Sequence, residues 1–155
     1  MSDSSGLSLR EVADSDLPFF YEHQADPEAA RMAAMPPRDW DAFMAHWNKI
    51  LADRAVIART IVLGDKVAGN IASFPHGGRL QVGYRIGKEF WNRGIATRAL
   101  REFLKIMPER PLYAHVATHN APSLRVAEKC GFARFSEETA EDGIEEVVFV
   151  LDATT

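Results

Sequence analysis

Residues 80 to 107 change period in mid-course, and that change restricts the fold more than any other stretch. Leu80, Val82, Tyr84 and Ile86 alternate with Gln81, Gly83, Arg85 and Gly87, the twofold period of a strand. From Ala96 the apolar residues Ala96, Ala99, Leu100, Phe103, Leu104 and Met107 recur at helical spacing, with Thr97, Arg98, Arg101, Glu102 and Lys105 opposite them. A turn with Asn92 and Gly94 joins the two. The first backbone N–H groups of a helix have no partner within it, so a strand, a glycine-bearing turn and a helix in this order form a site for phosphate or pyrophosphate.

Several nucleotide folds use such a turn, and spacing separates them. A dinucleotide fingerprint needs G-x-G-x-x-G and an NTPase loop needs G-x-x-x-x-G-K-[ST]; the glycines here are Gly83, Gly87 and Gly94, which fit neither. The segment resembles the acetyl-CoA-binding motif of the GNAT acetyltransferases, [R/Q]-x-x-G-x-[G/A], which ends here as Gly94-Ile95-Ala96. Trp91 stands at the Arg/Gln position, as in the ribosomal-protein N-terminal acetyltransferase branch, and Asn92 replaces that branch's usual glycine. A second segment, Asn120-Ala121-Pro122-Ser123 through Val126, Glu128, Lys129, Gly131 and Phe132, resembles the same family's N-x-x-S-x-x-V-x-E-K-x-G-F. It also reads as a short helix in its own right. Asn120 is a good N-cap, Pro122 is tolerated in a first turn, and Gly131 suits the left-handed residue after the last turn.

The chain has 155 residues, enough for one domain with a substantial core. Its net charge of −4 disfavours a nucleic-acid binder, which needs a basic surface. A local basic patch of Arg85, Lys88, Arg93, Arg98 and Arg101 reads either as a solvated helix face or as a contribution to CoA phosphate binding. The single cysteine, Cys130, excludes an internal disulfide and a multi-thiolate metal site, and its place at a helix end reads as core filler. The Ser-rich start, residues 1 to 6, reads as disordered and lacks the apolar region of a signal peptide. No run reaches transmembrane length, so the expectation is a cytoplasmic protein with no membrane partner.

Along the chain the periods predict a strand at 7–12, a helix through Leu17, Phe20 and Tyr21, a helical turn opened by Asp26, and a helix capped by Asp39 through Trp40, Phe43, Trp47 and Ile50. Strands follow at 55–63 and 66–74 around Gly64-Asp65, with a turn at Pro75-His76-Gly77-Gly78 into the strand already described. Beyond the long helix, strands are predicted at 112–117, 132–136 and 145–151. The order β-α-α-α-β-β-β-α-β-α-β-β agrees with the fold that the resemblance implies. That fold is α/β (α+β), a splayed mixed β-sheet flanked by helices, here a single domain over 1–155.

By resemblance the activity is acetyl transfer from acetyl-CoA to a primary amine by direct attack; the acidic chain, without a basic ribosome-facing extension, favours a small-molecule amine, with a ribosomal-protein terminus as the alternative acceptor. A non-catalytic acyl-CoA-binding module is the alternative from another class. The cofactor-binding residues it implies are Arg85, Ile86, Asn92, Arg93, Gly94, Ile95, Ala96, Thr97, Asn120 and Ser123. The backbone N–H of Ile86 would polarise the thioester carbonyl, and Ser123 would stabilise the leaving thiolate. No metal is implied, and a homodimer is compatible with the family. Relatives commonly carry a glutamate, a candidate base, where this chain has Gln81; the other candidates are Glu22, Asp26, Glu89, His76, His115 and His119. Tyr21, Met32, Met35, Trp40, Phe43 and Trp47 read either as core or as the wall of an acceptor pocket.

Overall fold

A computed structural model describes residues 6–153. The expectation of disorder at the start falls, apart from Gly6, outside them. Seven strands form one sheet in the order β1-β2-β3-β4-β5-β7-β6: β1 Leu7–Glu11, β2 Ile57–Leu63, β3 Lys66–His76, β4 Arg79–Ile86, β5 Leu112–Ala117, β6 Ala133–Thr139 and β7 Glu145–Leu151. The helices are α1 Leu17–Ala25, α2 Pro27–Ala33, α3 Trp40–Ala52, α4 Ile95–Ile106 and α5 Ala121–Lys129.

Sequence period decides the faces. Val82 and Ile86 pack with Ile95, Ala99, Leu100 and Phe103 of α4 and Ala127 of α5 in the larger core. On the opposite face Leu17, Phe20, Phe43 and Trp47 form a second core from α1 and α3. Asp26 and Asp39 cap α2 and α3 through the N–H groups of Ala29 and Ala42, at 2.9 Å each. Asp16, by contrast, is a buried tie. Its carboxylate takes both Arg10 guanidinium nitrogens at 2.7 Å, the Ala13 N–H at 2.8 Å and the Thr60 hydroxyl at 2.7 Å, fixing the start of α1 to β1 and β2.

Three strands differ from expectation by more than one residue: β2 begins at Ile57 instead of 55, β6 runs on to Thr139 instead of stopping at 136, and β3 runs past 74. The predicted turn at Pro75-His76 is the end of β3, and only Gly77-Gly78 make the turn, both with positive φ. β2 begins only at Ile57, opposite Ser73 of β3, so the side of Pro75 that lacks an N–H has no neighbouring strand to lose a bond to.

Among the described residues β4 and β5 are the one parallel pair, and they join at a single place, Gln81 opposite Tyr113. Beyond it β4 stays paired with β3 as far as Ile86, while β5 turns to β7. The sheet therefore opens between the carboxyl ends of β4 and β5.

Candidate active site

The opening exposes backbone as well as side chains. Gly87 N–H donates to Ala68 C=O at 2.8 Å, so the odd positions of β4 hydrogen-bond to β3. By alternation along an antiparallel ladder, the N–H and C=O groups of Tyr84 and Ile86 point the other way, into the gap. The Ile86 carbonyl accepts from the Trp91 indole N–H at 2.9 Å, which ties the following loop to the strand end. α2 roofs the gap and is fastened on both sides, by Lys88 Nζ to Glu28 at 2.8 Å and by His119 Nε2 to the Arg31 carbonyl at 2.8 Å.

The cavity so enclosed has a volume of about 250 Å³. Of the residues expected at a cofactor site, Arg85, Ile86, Asn92, Gly94, Ile95, Ala96, Thr97, Asn120 and Ser123 line it. Arg93 does not line it, and its guanidinium lies 5.7 Å from the centre of the Phe90 ring. At the entrance of α4 no side chain caps the helix, so the first N–H groups stay open to the cavity. Gly94 precedes that helix at φ +73° and Asn92 sits at φ +64°. Asparagine is one of the few residues that tolerates this region, which accounts for its replacing the motif's glycine.

At the inner end the Ser123 hydroxyl lies 2.8 Å from the Tyr84 hydroxyl. Burial pushes the Tyr84 phenol up to about 12, against the opposing effect of Ser123, so it stays protonated throughout the neutral range. Asn120 caps α5, its Oδ1 accepting from the Ser123 N–H at 3.3 Å. Tyr84 is the functional candidate that sequence reading missed. A tyrosine in a strand reads as filler, and only the packing of α5 on β4 brings its hydroxyl to the serine.

The structure also sorts the proposed bases and shows what Gln81, which cannot take a proton, does in their place. Gln81 is buried, and its Nε2 donates to the His76 carbonyl at 3.2 Å, across the end of the β3–β4 hairpin. Asp26 is occupied as a helix cap. His115 lies away from the cavity with Nδ1 3.2 Å from Glu146 and Nε2 3.4 Å from Arg79, and Arg79 also makes a bidentate pair with Glu138. None of Gln81, Glu22, Glu89, His76, His115 and His119 lines the cavity. The Cys130 thiol donates to the Thr97 carbonyl at 3.6 Å, and burial pushes it up, which leaves it no nucleophile. Among the described residues no group of three or more His, Cys, Asp or Glu side chains is placed to hold a metal ion, and no helix is long and apolar enough to cross a membrane.

Of the aromatic and methionine residues, Phe43 and Trp47 are buried in the second core, whereas Met32 lines the cavity and Met35 and Trp40 stay exposed. His23, on α1, lies so close beneath Gly87 that a Cβ there would come within 2.6 Å of its Nε2. Only glycine allows that approach of α1 to the end of β4.

Residues 7–133 match the family described as an acetyltransferase (GNAT) domain. No curated protein matches the chain. Among solved structures, a GNAT-family acetyltransferase from Bacillus anthracis superposes with a TM-score of 0.81 at 18% identity, covering 94% of each chain. A spermidine N-acetyltransferase from Vibrio cholerae, in complex with CoA and spermine, gives 0.79 at 21% identity and 94% of each chain. A ribosomal-protein alpha-N-acetyltransferase in complex with coenzyme A gives 0.80 at 14% identity, covering 97% of this chain and 96% of its own.

Proposed function

The chain belongs to the GNAT family of acetyl-CoA-dependent N-acetyltransferases, and from that premise we propose that the gap between β4 and β5 is where acetyl passes to the primary amine of a small molecule. The observation that carries this placement is that one cavity joins the uncapped start of α4, the free backbone edge of β4 and the Tyr84–Ser123 hydroxyl pair. These are the groups that acetyl transfer needs along one line: anion donors, a carbonyl polariser and a stabiliser for a leaving thiolate.

In this reading the backbone N–H groups from Asn92 to Thr97 hold the diphosphate, with the Thr97 hydroxyl beside them. The Asn120 side-chain amide keeps its N–H₂ free for the pantetheine arm while its oxygen caps α5. The Ile86 N–H, and that of Tyr84 one step further in, donate to the thioester oxygen as negative charge develops there. The neutral amine attacks the acetyl carbon directly, and the carbon–sulfur bond breaks. Ser123 donates its hydrogen bond to the departing sulfur while accepting one from Tyr84, which keeps the serine proton aimed at the thiolate. Ser123 itself has no useful acidity near neutrality, so it stabilises charge instead of serving as the acid.

Gln81 does not by itself favour a module without turnover, because its amide is held by the hairpin and does not line the cavity. A panel of amines with acetyl-CoA, read by thiol release and product mass, tests the reading. A new acetamide formed with stoichiometric thiol supports it. Acetyl-CoA binding with no amine consumed would put the non-catalytic module in its place.

A further inference from the structure

Arg85 stands on the face of β4 opposite Tyr84 and Ile86, beneath α2, and its side chain lines the cavity from the roof side. It is partly buried, and the contact it makes is a weak one, Nη2 to the Met35 sulfur at 3.7 Å. Among the described residues it forms no ion pair. The carboxylates of α2 are engaged elsewhere, Glu28 with Lys88 and Asp26 with the Ala29 N–H. Glu89, four residues along the chain, makes no ion pair with Arg85; both charges reach the buried His23 imidazole, with opposite effects. The charge that does reach Arg85 belongs to another cation, Arg38, and burial together with that repulsion pushes the guanidinium below its ordinary value. A sheltered guanidinium that also feels a second cation is unfavourable until an anion joins it.

Acetyl-CoA does not supply that anion in the arrangement above. Its diphosphate is taken by the loop before α4, its 3′-phosphate sits on the ribose beyond the diphosphate and away from the thioester, and the pantetheine arm beside β4 is uncharged. The remaining molecule that enters the cavity is the acceptor. We propose that the acceptor is an amine carrying a carboxylate, of the amino-acid kind, with the carboxylate held by Arg85 and steered by Arg38. This rests on the transfer reading and sharpens it. A planar carboxylate matches the two-pronged guanidinium, and Arg85 lies between the two residues whose N–H groups face the thioester. The amine nitrogen bonds the acetyl carbon, the carbon–sulfur bond breaks, nitrogen loses its extra proton to water, and the thiolate takes one up. Polycationic acceptors meet the Arg85 guanidinium in the cavity, with the charge of Arg38 reaching it, and are disfavoured.

The test compares free α-amino acids, their primary amides and spermidine as acceptors, by thiol release, for the natural protein and for Arg85→Gln and Arg85→Lys. The expected kcat/KM for acids exceeds that for the matching amides by about tenfold or more, the scale of a charge-assisted bidentate pair. Arg85→Gln removes the preference by raising the acceptor KM while leaving the acetyl-CoA KM unchanged, and Arg85→Lys keeps part of it. Arg38→Gln gives a smaller effect of the same sign, which keeps the idea testable if Arg85→Gln does not fold. Amides or spermidine used as well as the acids would overturn the proposal and leave acetyl transfer standing. An Arg85→Gln protein with a raised acetyl-CoA KM and an unchanged acid-to-amide ratio would overturn it too, assigning Arg85 to the cofactor. No turnover of any amine by a protein that binds acetyl-CoA would overturn the transfer reading itself, and this proposal with it.

Discussion

Among single side chains, Tyr84 is the one whose role follows from contact alone. Its hydroxyl touches Ser123 and stays protonated, so in the proposed transfer it acts through the serine, as a positioning residue. One hydrogen bond of this kind is worth about 1 kcal/mol, which corresponds to a loss in turnover of about three- to tenfold for Tyr84→Phe with little change in the acetyl-CoA KM. Ser123→Ala costs more. The pair is not additive: Tyr84→Phe in a Ser123→Ala background has no further effect, and a double-mutant cycle on kcat checks this. Fully additive losses would separate the two roles. Ser123 and Asn120 were legible in the sequence because a helix cap and a family motif coincide there. Tyr84 and Arg85 were not legible in these roles, because neither strand period nor charge says which helix lies over which face.

At the scale of elements, β4 organises the site by pairing fully with β3 and at one point with β5. Its amino end depends on Gln81, whose amide closes the β3–β4 hairpin on the His76 carbonyl. Gln81→Glu therefore brings an acceptor-only carboxylate against a carbonyl in a buried place that does not line the cavity. The cost is about 1–3 kcal/mol at neutral pH, since both the bond and the solvation of the new charge are lost. Burial raises the introduced carboxyl, so the folded state of the variant binds its proton more tightly than the unfolded state does. The deficit shrinks as pH falls and grows as it rises. Urea unfolding at pH 5 and pH 8 checks it, and a variant as stable as the natural protein at pH 8, with faster turnover, would return Gln81 to the chemistry. Element order was read well because caps at Asp26 and Asp39 and the Gly64-Asp65 turn are local signals. The end of β3 was misread because the tolerance of Pro75 depends on where β2 begins, which is not local.

For the whole molecule, pH dependence follows from groups that folding holds away from their ordinary values. Burial pushes Asp16 up, but Arg10, the Ala13 N–H and Thr60 outweigh it and hold the carboxyl low, while Arg79 and Ser136 hold Glu138 at about 2. Depressed carboxylates stabilise the fold above their unfolded values and lose that contribution as pH falls through the folded ones. Stability is thus expected to drop between the ordinary glutamate value of 4.5 and about 2. Burial also pushes His23 and His46 down, so they remain neutral in the fold, and a shallower loss begins as pH falls through their ordinary 6.5. Urea unfolding across this range gives the two-stage profile, and Asp16→Asn together with Glu138→Gln flattens its lower stage. The splayed sheet was legible through the family motifs alone. Composition and period specify strands and helices, whereas the single-point contact of β4 with β5 is a property of the assembled sheet. The central claim, that the gap at this contact is the acetyl-CoA site, is tested most directly by titrating acetyl-CoA into the natural protein, Gly94→Ala and Gly94→Glu in a calorimeter. Gly94 has a positive φ and open space around it, so both variants carry similar backbone strain and only glutamate adds negative charge at the start of α4. The account predicts that Gly94→Ala still binds and that folded Gly94→Glu loses most of its affinity; undiminished binding by Gly94→Glu would contradict it.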